Sequence, residues 1–232
     1  MDKHLSSQFD AELTSISTRV LEMGGLVETQ LRQAIYALHN LSVETADQVL
    51  KLEDKVNRLE VEIDHDITST MSRRQPTARD LRLLVGVGRI IVNLERAGDE
   101  AARVARMIKS FIDSGAPRSL PTSDLSTSAQ LAADMMHKTL DAFARLDVAA
   151  SLEIIKEDDR IDQEYEGYLR KLITYMMEDP RTISASLNLL FLAKAIERIG
   201  DHAKNIAEAT VYVVKGTDIR HTTVAERESV VK

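Results

Sequence analysis

The sequence predicts an all-α protein built as two tandem three-helix bundles related by internal duplication. Three observations predict it. Gly is 9 and Pro is 4 in 232 residues, too few to turn a chain every 8–12 residues or so, as a sandwich or barrel requires. Apolar residues recur at helical spacing almost throughout. The second half also repeats the first. Shifted by 105 positions, residues 37–57 (ALHNLSVETADQVLKLEDKVN) fall on 142–162 (AFARLDVAASLEIIKEDDRID) without a gap, so that Leu41 meets Leu146 and Asp54 meets Asp159. At a shift of 102, the ERAGD run from Glu95 to Asp99 meets the ERIGD run from Glu197 to Asp201, and at 104 Pro76 meets Pro180. The changes of shift fall at helix–helix turns, where length is free to vary.

The elements follow in order. A first helix spans about 8–40, roughly 50 Å long at ~1.5 Å per residue. After a break at 41–45, Glu44 or Thr45 opens a second helix that runs to about 74. Pro76 marks the next boundary, since proline suits a first helical turn and not an interior. A third helix covers about 77–112. Gly115, Pro117, Pro121 and a Ser/Thr cluster then form the one composition shift in the chain, which reads as a linker. Asp124 or Ser126 is the expected cap of the fourth helix, which ends near 146. A fifth helix runs over about 147–178, a break falls at Pro180, and a sixth spans about 184–215 with Gly216 as C-terminal cap. The expected organisation is a first bundle at 1–112, a linker at 113–124, a second bundle at 125–216 and a loose tail at 217–232.

Lys and Arg number 30 against 37 Asp and Glu, a formal charge of −7. That balance argues against nucleic acid and against docking on anionic lipid, since both need a basic surface. Cys is 0, which excludes disulfides, iron–sulfur clusters, thiolate zinc sites and cysteine nucleophiles. No apolar run reaches the ~18 residues of a membrane span, and residues 1–10 lack an apolar signal segment, so the expected compartment is the cytosol.

Each repeat presents the same polar set. The second helices give Asp54 with Asn57, and Asp159 with Asp162. The third helices give Glu95 with Asp99, and Glu197 with Asp201. Residues three or four apart share a helix face, so two such pairs on adjacent antiparallel helices could gather four oxygen ligands. Such ligands suit hard or borderline cations such as Mg, Mn, Ca or Fe. On a helical wheel, however, Phe191, Ile196, Ile199 and Ala203 mark one arc of the sixth helix. Lys194, Glu197, Asp201, Lys204 and Glu208 lie opposite, as a solvated, ion-paired face would. Any metal therefore belongs to a surface groove and not to the bundle core. Gly98 and Gly200 cost about 1 kcal/mol each inside a helix, which points to close approach of another helix or a ligand. Gly24-Gly25 and Gly86-x-Gly88 read as close packing; the latter lacks the third glycine and βαβ setting of a dinucleotide site. The single Glu-x-x-His, at Glu62 and His65, is one short of the two a di-iron bundle needs. No nucleophile elbow, triad or phosphate-cradling loop is legible, so no enzymatic activity is expected.

The chain also resembles the PhoU family over essentially its whole length. The similar segments are FDAELTSISTRVLEMGGLVE from Phe9, RQPTARDLR from Arg74, LDAFARLDVA from Leu140, DQEYEG from Asp162, TYMMED from Thr174, ERAGD, ERIGD, and YVVKGTDIRH from Tyr212. The resemblance implies two three-helix bundles in pseudo-twofold relation, each with a Glu/Asp-x-x-x-Asp motif that binds divalent or trivalent metal ions (Mg, Mn, Fe, Zn or Ca). The motif residues here are Glu95, Asp99, Glu197 and Asp201, assisted by Asp54, Asn57, Asp159 and Asp162. Asn57, opposite the charged Asp162, implies a less acidic first site. The implied role is negative regulation of the phosphate-starvation response, coupling the ATPase subunit of the high-affinity phosphate ABC transporter to the histidine kinase PhoR. A homodimer is expected, with membranes reached only through partners. The alternative is a helical interaction protein that controls phosphate transport alone, without kinase signalling or a functional metal.

Overall fold

The computed structural model describes residues 7–113, 121–223 and 226–227. Six helices follow in order: α1 (Ser7–Asn40), α2 (Val43–Arg74), α3 (Ala78–Asp113), α4 (Thr122–Arg145), α5 (Val148–Glu178) and α6 (Ile183–Lys215), with a 3-10 turn at Pro180–Thr182 before the last. There is no strand among the described residues. None of the described helices is long and apolar enough to cross a membrane.

The α1–α2 and α4–α5 corners are built alike. Leu41 (φ 48°) and Leu146 (φ 51°) adopt the left-handed conformation, uncommon for a non-glycine residue. The next residue caps the following helix: Ser42 Oγ accepts from the Thr45 N–H at 3.2 Å, and Asp147 Oδ1 accepts from the Ala150 N–H at 3.0 Å. The second helix thus starts at Val43, capped by Ser42, ahead of the expected Glu44 or Thr45, because the short hydroxyl reaches the free Thr45 N–H. At α4 the expected caps fail. Pro121 holds the cap position without a side-chain bond, and Asp124 instead pairs with Lys171 of α5 at 2.7 Å. The linker expected at 113–124 lies largely outside the described residues, and its end, 122–124, is the first turn of α4.

One contiguous aliphatic cluster runs through both repeats. α3 and α6 lie against each other at its centre, with α1 and α2 packed on one side and α4 and α5 on the other. Their crossing is close at Gly86, where an added Cβ would stand 2.2 Å from Val213 Cγ2. Valine is stiff at χ1 and cannot swing away. Gly86→Val is therefore expected to lower stability by about 1–3 kcal/mol. Gly88→Ala should be neutral or stabilising, because an added Cβ there meets nothing within 4 Å. Thermal melts of the two variants check the contrast.

Gly216 (φ 75°) ends α6 with its N–H on Tyr212 O at 2.9 Å. The segment beyond it is not loose where it is described. Ile219 is 1% exposed, and Asp218 pairs with Arg220 at 2.6 Å and reaches Arg89 of α3 at 3.5 Å. Residues 224–225 and 228–232 of the expected tail lie outside the described residues.

Candidate metal centres

In the first repeat α3 carries Glu95 and Asp99 one turn apart. Antiparallel α2 faces them with Glu53, Asn57, Glu60 and Asp64, spaced four, three and four apart and so on one side of the helix. The acids crowd one another. Burial pushes the Glu95 carboxyl up to about 7, and Asp99, Glu60 and Glu53 push the same way against Arg96. Burial also raises Glu60, with Asp64 and Asp99 adding to it. Glu53 takes Arg106 Nη2 on both oxygens at 2.9 and 3.0 Å.

In the second repeat α6 supplies Glu197 and Asp201, and α5 supplies Asp158 and Asp162. Burial raises Asp201 to about 6, followed by Glu197, Asp158 and Asp162, with Lys194 opposing. Asp162 is raised by burial, then by Asp158 and Glu197. Lys194 Nζ donates to Glu197 Oε1 at 2.6 Å and lies 2.5 Å from Oε2. Lys204 Nζ donates to Asp158 Oδ2 at 2.6 Å, and Asp158 is 1% exposed.

The motif glycines bring these helices together. An added Cβ at Gly98 would stand 2.9 Å from Gln30 Oε1, and one at Gly200 would stand 2.7 Å from Ile161 Cδ1. Their reason is helix approach. Gln30, wholly buried, donates from Nε2 to Gly98 O at 3.2 Å and ties α1 to α3 behind the first cluster.

Of the residues expected from the sequence, Glu95, Asp99, Asn57, Asp162, Glu197 and Asp201 fall on the facing sides of the paired helices. Asp54 and Asp159 are exposed on the rim. Glu53, Glu60 and Asp158 take the facing positions expected of those two, close to Glu95 and Asp201, and the sequence pattern did not single them out. A signal was available for Asp158: it continues the Ile154, Ile155 and Ile161 face of α5, whereas Asp159 does not. The expected solvated face of α6 is corrected in part. Glu197 is 9% and Glu208 6% exposed, while Phe191, assigned to the apolar arc, is 51% exposed. α6 is surrounded by α3, α4 and α5, so no single arc of it faces water. The acidity that Asn57 withholds from the first cluster is supplied there by Glu60, where the second repeat has Tyr165, so each cluster counts four carboxylates.

Two histidines are excluded from the clusters. His202 faces α3, where Nδ1 donates to Asn93 Oδ1 at 3.1 Å. Burial, then Arg198 and Arg96, hold the imidazole down to about 4, so it is neutral. Glu62 and His65 are both exposed, and Glu62 is bound by Arg19.

The donor chemistry fits a hard cation: each cluster is all-oxygen, partly buried and short of positive charge. Among the described residues no three Asp, Glu or His side chains converge to ligating geometry as they stand. A bound ion would therefore draw the carboxylates off their present arginine and lysine partners. Glu95 and Asp99 would hold it with Glu60 and Glu53 in the first repeat. Glu197 and Asp201 would hold it with Asp158 and Asp162 in the second.

These features define a duplicated, all-helical protein with one acidic cluster on the surface of each repeat. A PhoU domain model matches residues 20–108 and 125–210. The "Phosphate-specific transport system accessory protein PhoU homolog" of a Burkholderia species is 47% identical over 222 residues, which cover 95% of this chain and 94% of that protein. The PhoU accessory protein of Escherichia coli K12 is 46% identical, covering 95% of this chain and 91% of the relative. The crystal structure of PhoU from Pseudomonas aeruginosa superposes with a TM-score of 0.87 at 41% identity, over 90% of this chain and all of that one. The chain belongs to the PhoU family.

Proposed function

We propose that this chain is a non-catalytic, metal-binding adaptor of phosphate-specific transport. It acts as a negative regulator of the phosphate-starvation response and couples the ATPase subunit of a phosphate ABC transporter to the histidine kinase PhoR in the cytoplasm. The observation that carries the reading is the pair of acidic clusters, in register on both repeats of a PhoU-family chain whose relatives are named as transport accessory proteins. Exposed Ile183, Leu187 and Phe191, four residues apart on α6, support an interaction role. The same apolar strip supports a homodimer. Cations on Asp99 and Asp201 would offset local negative charge and could bridge to an acidic partner surface.

The test is alkaline phosphatase activity in phosphate-replete cells. A deletion strain should show high activity, silenced by the restored wild-type gene and not by the gene carrying Asp99→Ala with Asp201→Ala. A second reading, control of transport alone without a functional metal, is favoured by the ion pairs that already occupy Glu53, Asp158 and Glu197. It takes over if the deletion causes no derepression.

A further inference from the structure

The two clusters are not copies of each other in charge. At a shift of 102, Lys194 corresponds to Val92 and Lys204 to Ala102; at a shift of 105, Tyr165 corresponds to Glu60. The second repeat has thus gained two ammonium groups, while its loss of a carboxylate at Tyr165 is balanced by Asp162, which stands where the first repeat has Asn57. Both lysines are in use there. Lys194 Nζ sits on both oxygens of Glu197 and 5.3 Å from the centroid of the Tyr165 ring, which favours a cation over its face. Lys204 Nζ sits on Asp158. In the first repeat Arg106 reaches Glu53 from a full turn beyond the position of Ala102, and Arg96 is the cation that acts on Glu95 and Glu60.

Resting on the metal-binding reading above, we propose that the two centres are unequal. The Glu95–Asp99 centre, with Glu60 as an added ligand, takes a divalent cation, whereas Lys194 stands in for the cation at the Glu197–Asp201 centre. A divalent ion entering the second centre must first displace an ammonium group from Glu197, and the two positive charges then repel at short range. Of the four carboxylates at each centre it also meets one fewer that is free of a salt bridge, Asp162 and Asp201 against Glu60, Glu95 and Asp99, and ligand charge is a main determinant of affinity for hard cations. The Lys194–Glu197 pair is therefore a built-in occupant that reserves the second centre.

The test is Mn2+ titration of the full chain by calorimetry, with bound metal counted by elemental analysis after gel filtration. The wild type should bind one Mn2+ at least about 10-fold more tightly than a second. Glu95→Gln and Glu60→Gln should each weaken the tight site. Lys194→Met, a partly exposed position that leaves the core intact, should tighten the second site and raise the count to two. Two equal sites unaffected by Lys194→Met would overturn the inequality and leave the metal reading standing. A single tight site lost in Glu197→Gln and kept in Glu95→Gln would also overturn it, as would no tightening in Lys194→Met. No Mn2+ bound by any of these proteins would overturn both readings together.

Discussion

Lys204→Met is expected to destabilise the protein by about 3 kcal/mol in EDTA, a drop of roughly 6–12 °C in melting temperature for a chain of this size. Lys204 Nζ holds Asp158 Oδ2 at 2.6 Å, with 2% of the Asp158 side chain and 28% of the Lys204 side chain exposed. Removing the ammonium leaves a carboxylate enclosed between α5 and α6 with its charge unmatched. That cost exceeds the worth of the pair itself, and the partial exposure of Lys204 keeps it at the lower end of the range. The chelator matters, because an adventitious cation could replace the lost ammonium. Adding Asp158→Asn to Lys204→Met removes the charge and should restore much of the loss. A single variant within about 0.5 kcal/mol of wild type, the scatter of ordinary surface substitutions, would show that Asp158 reaches water or a second cation.

Asp158 also shows where the sequence stopped being readable. Asp54 and Asp159 are identical in the two repeats, and identity between repeats is what points to them in the sequence. The residues that face the partner helix are their neighbours, Glu53 and Asp158, which differ between repeats, together with Glu60, which has no acidic counterpart. The fold was far more legible than the site. Helix number, the duplication and the Gly216 stop follow from spacing and breaker residues, each a local property. Even the left-handed Leu41 and Leu146 corners lie inside the gapless stretch of the repeat. What spacing cannot supply is how many neighbours a helix has. A two-sided wheel assumes one wet face, but α6 packs on three helices, so Glu197 and Glu208 are buried and Phe191 is not. The position of Ile219 was hidden for the same reason. A polar stretch after a helix reads as a tail until tertiary contacts bring one aliphatic side chain back to the core.

Binding of Mn2+ is expected to raise the melting temperature by about 5–10 °C at pH 7.5. That corresponds to about 2.7 kcal/mol at free metal roughly 100 times its dissociation constant. The gain should shrink at pH 5, and the reason lies in which groups titrate between the two values. Glu95 has a carboxyl raised from about 4.5 to about 7, by burial first and then by Asp99, Glu60 and Glu53. Asp201 is raised from about 3.8 to about 6, by burial first and then by Glu197. In both, the folded state holds a proton that the unfolded chain has released. Their contribution to stability is present below the unfolded values and is lost as pH rises through the folded ones. His202 works in the opposite sense. Burial, with Arg198 and Arg96, lowers it from 6.5 to about 4, so its contribution is present above 6.5 and lost as pH falls toward 4. Between pH 4 and 6 the two effects oppose each other. Above about 6.5 Glu95 is left without that opposition, so the metal-free protein should lose stability between pH 6.5 and 7.5. Glu95→Gln should flatten that segment. Mn2+ competes for the same carboxylate oxygens, so its uptake near pH 7 should release protons, measurable as a buffer-dependent calorimetric heat. A metal-free melting temperature that rises between pH 6.5 and 7.5 would mean that Glu95 is already ionised against Arg96. The crowding of acids between α2 and α3 would then not be the force that draws a cation to the first repeat.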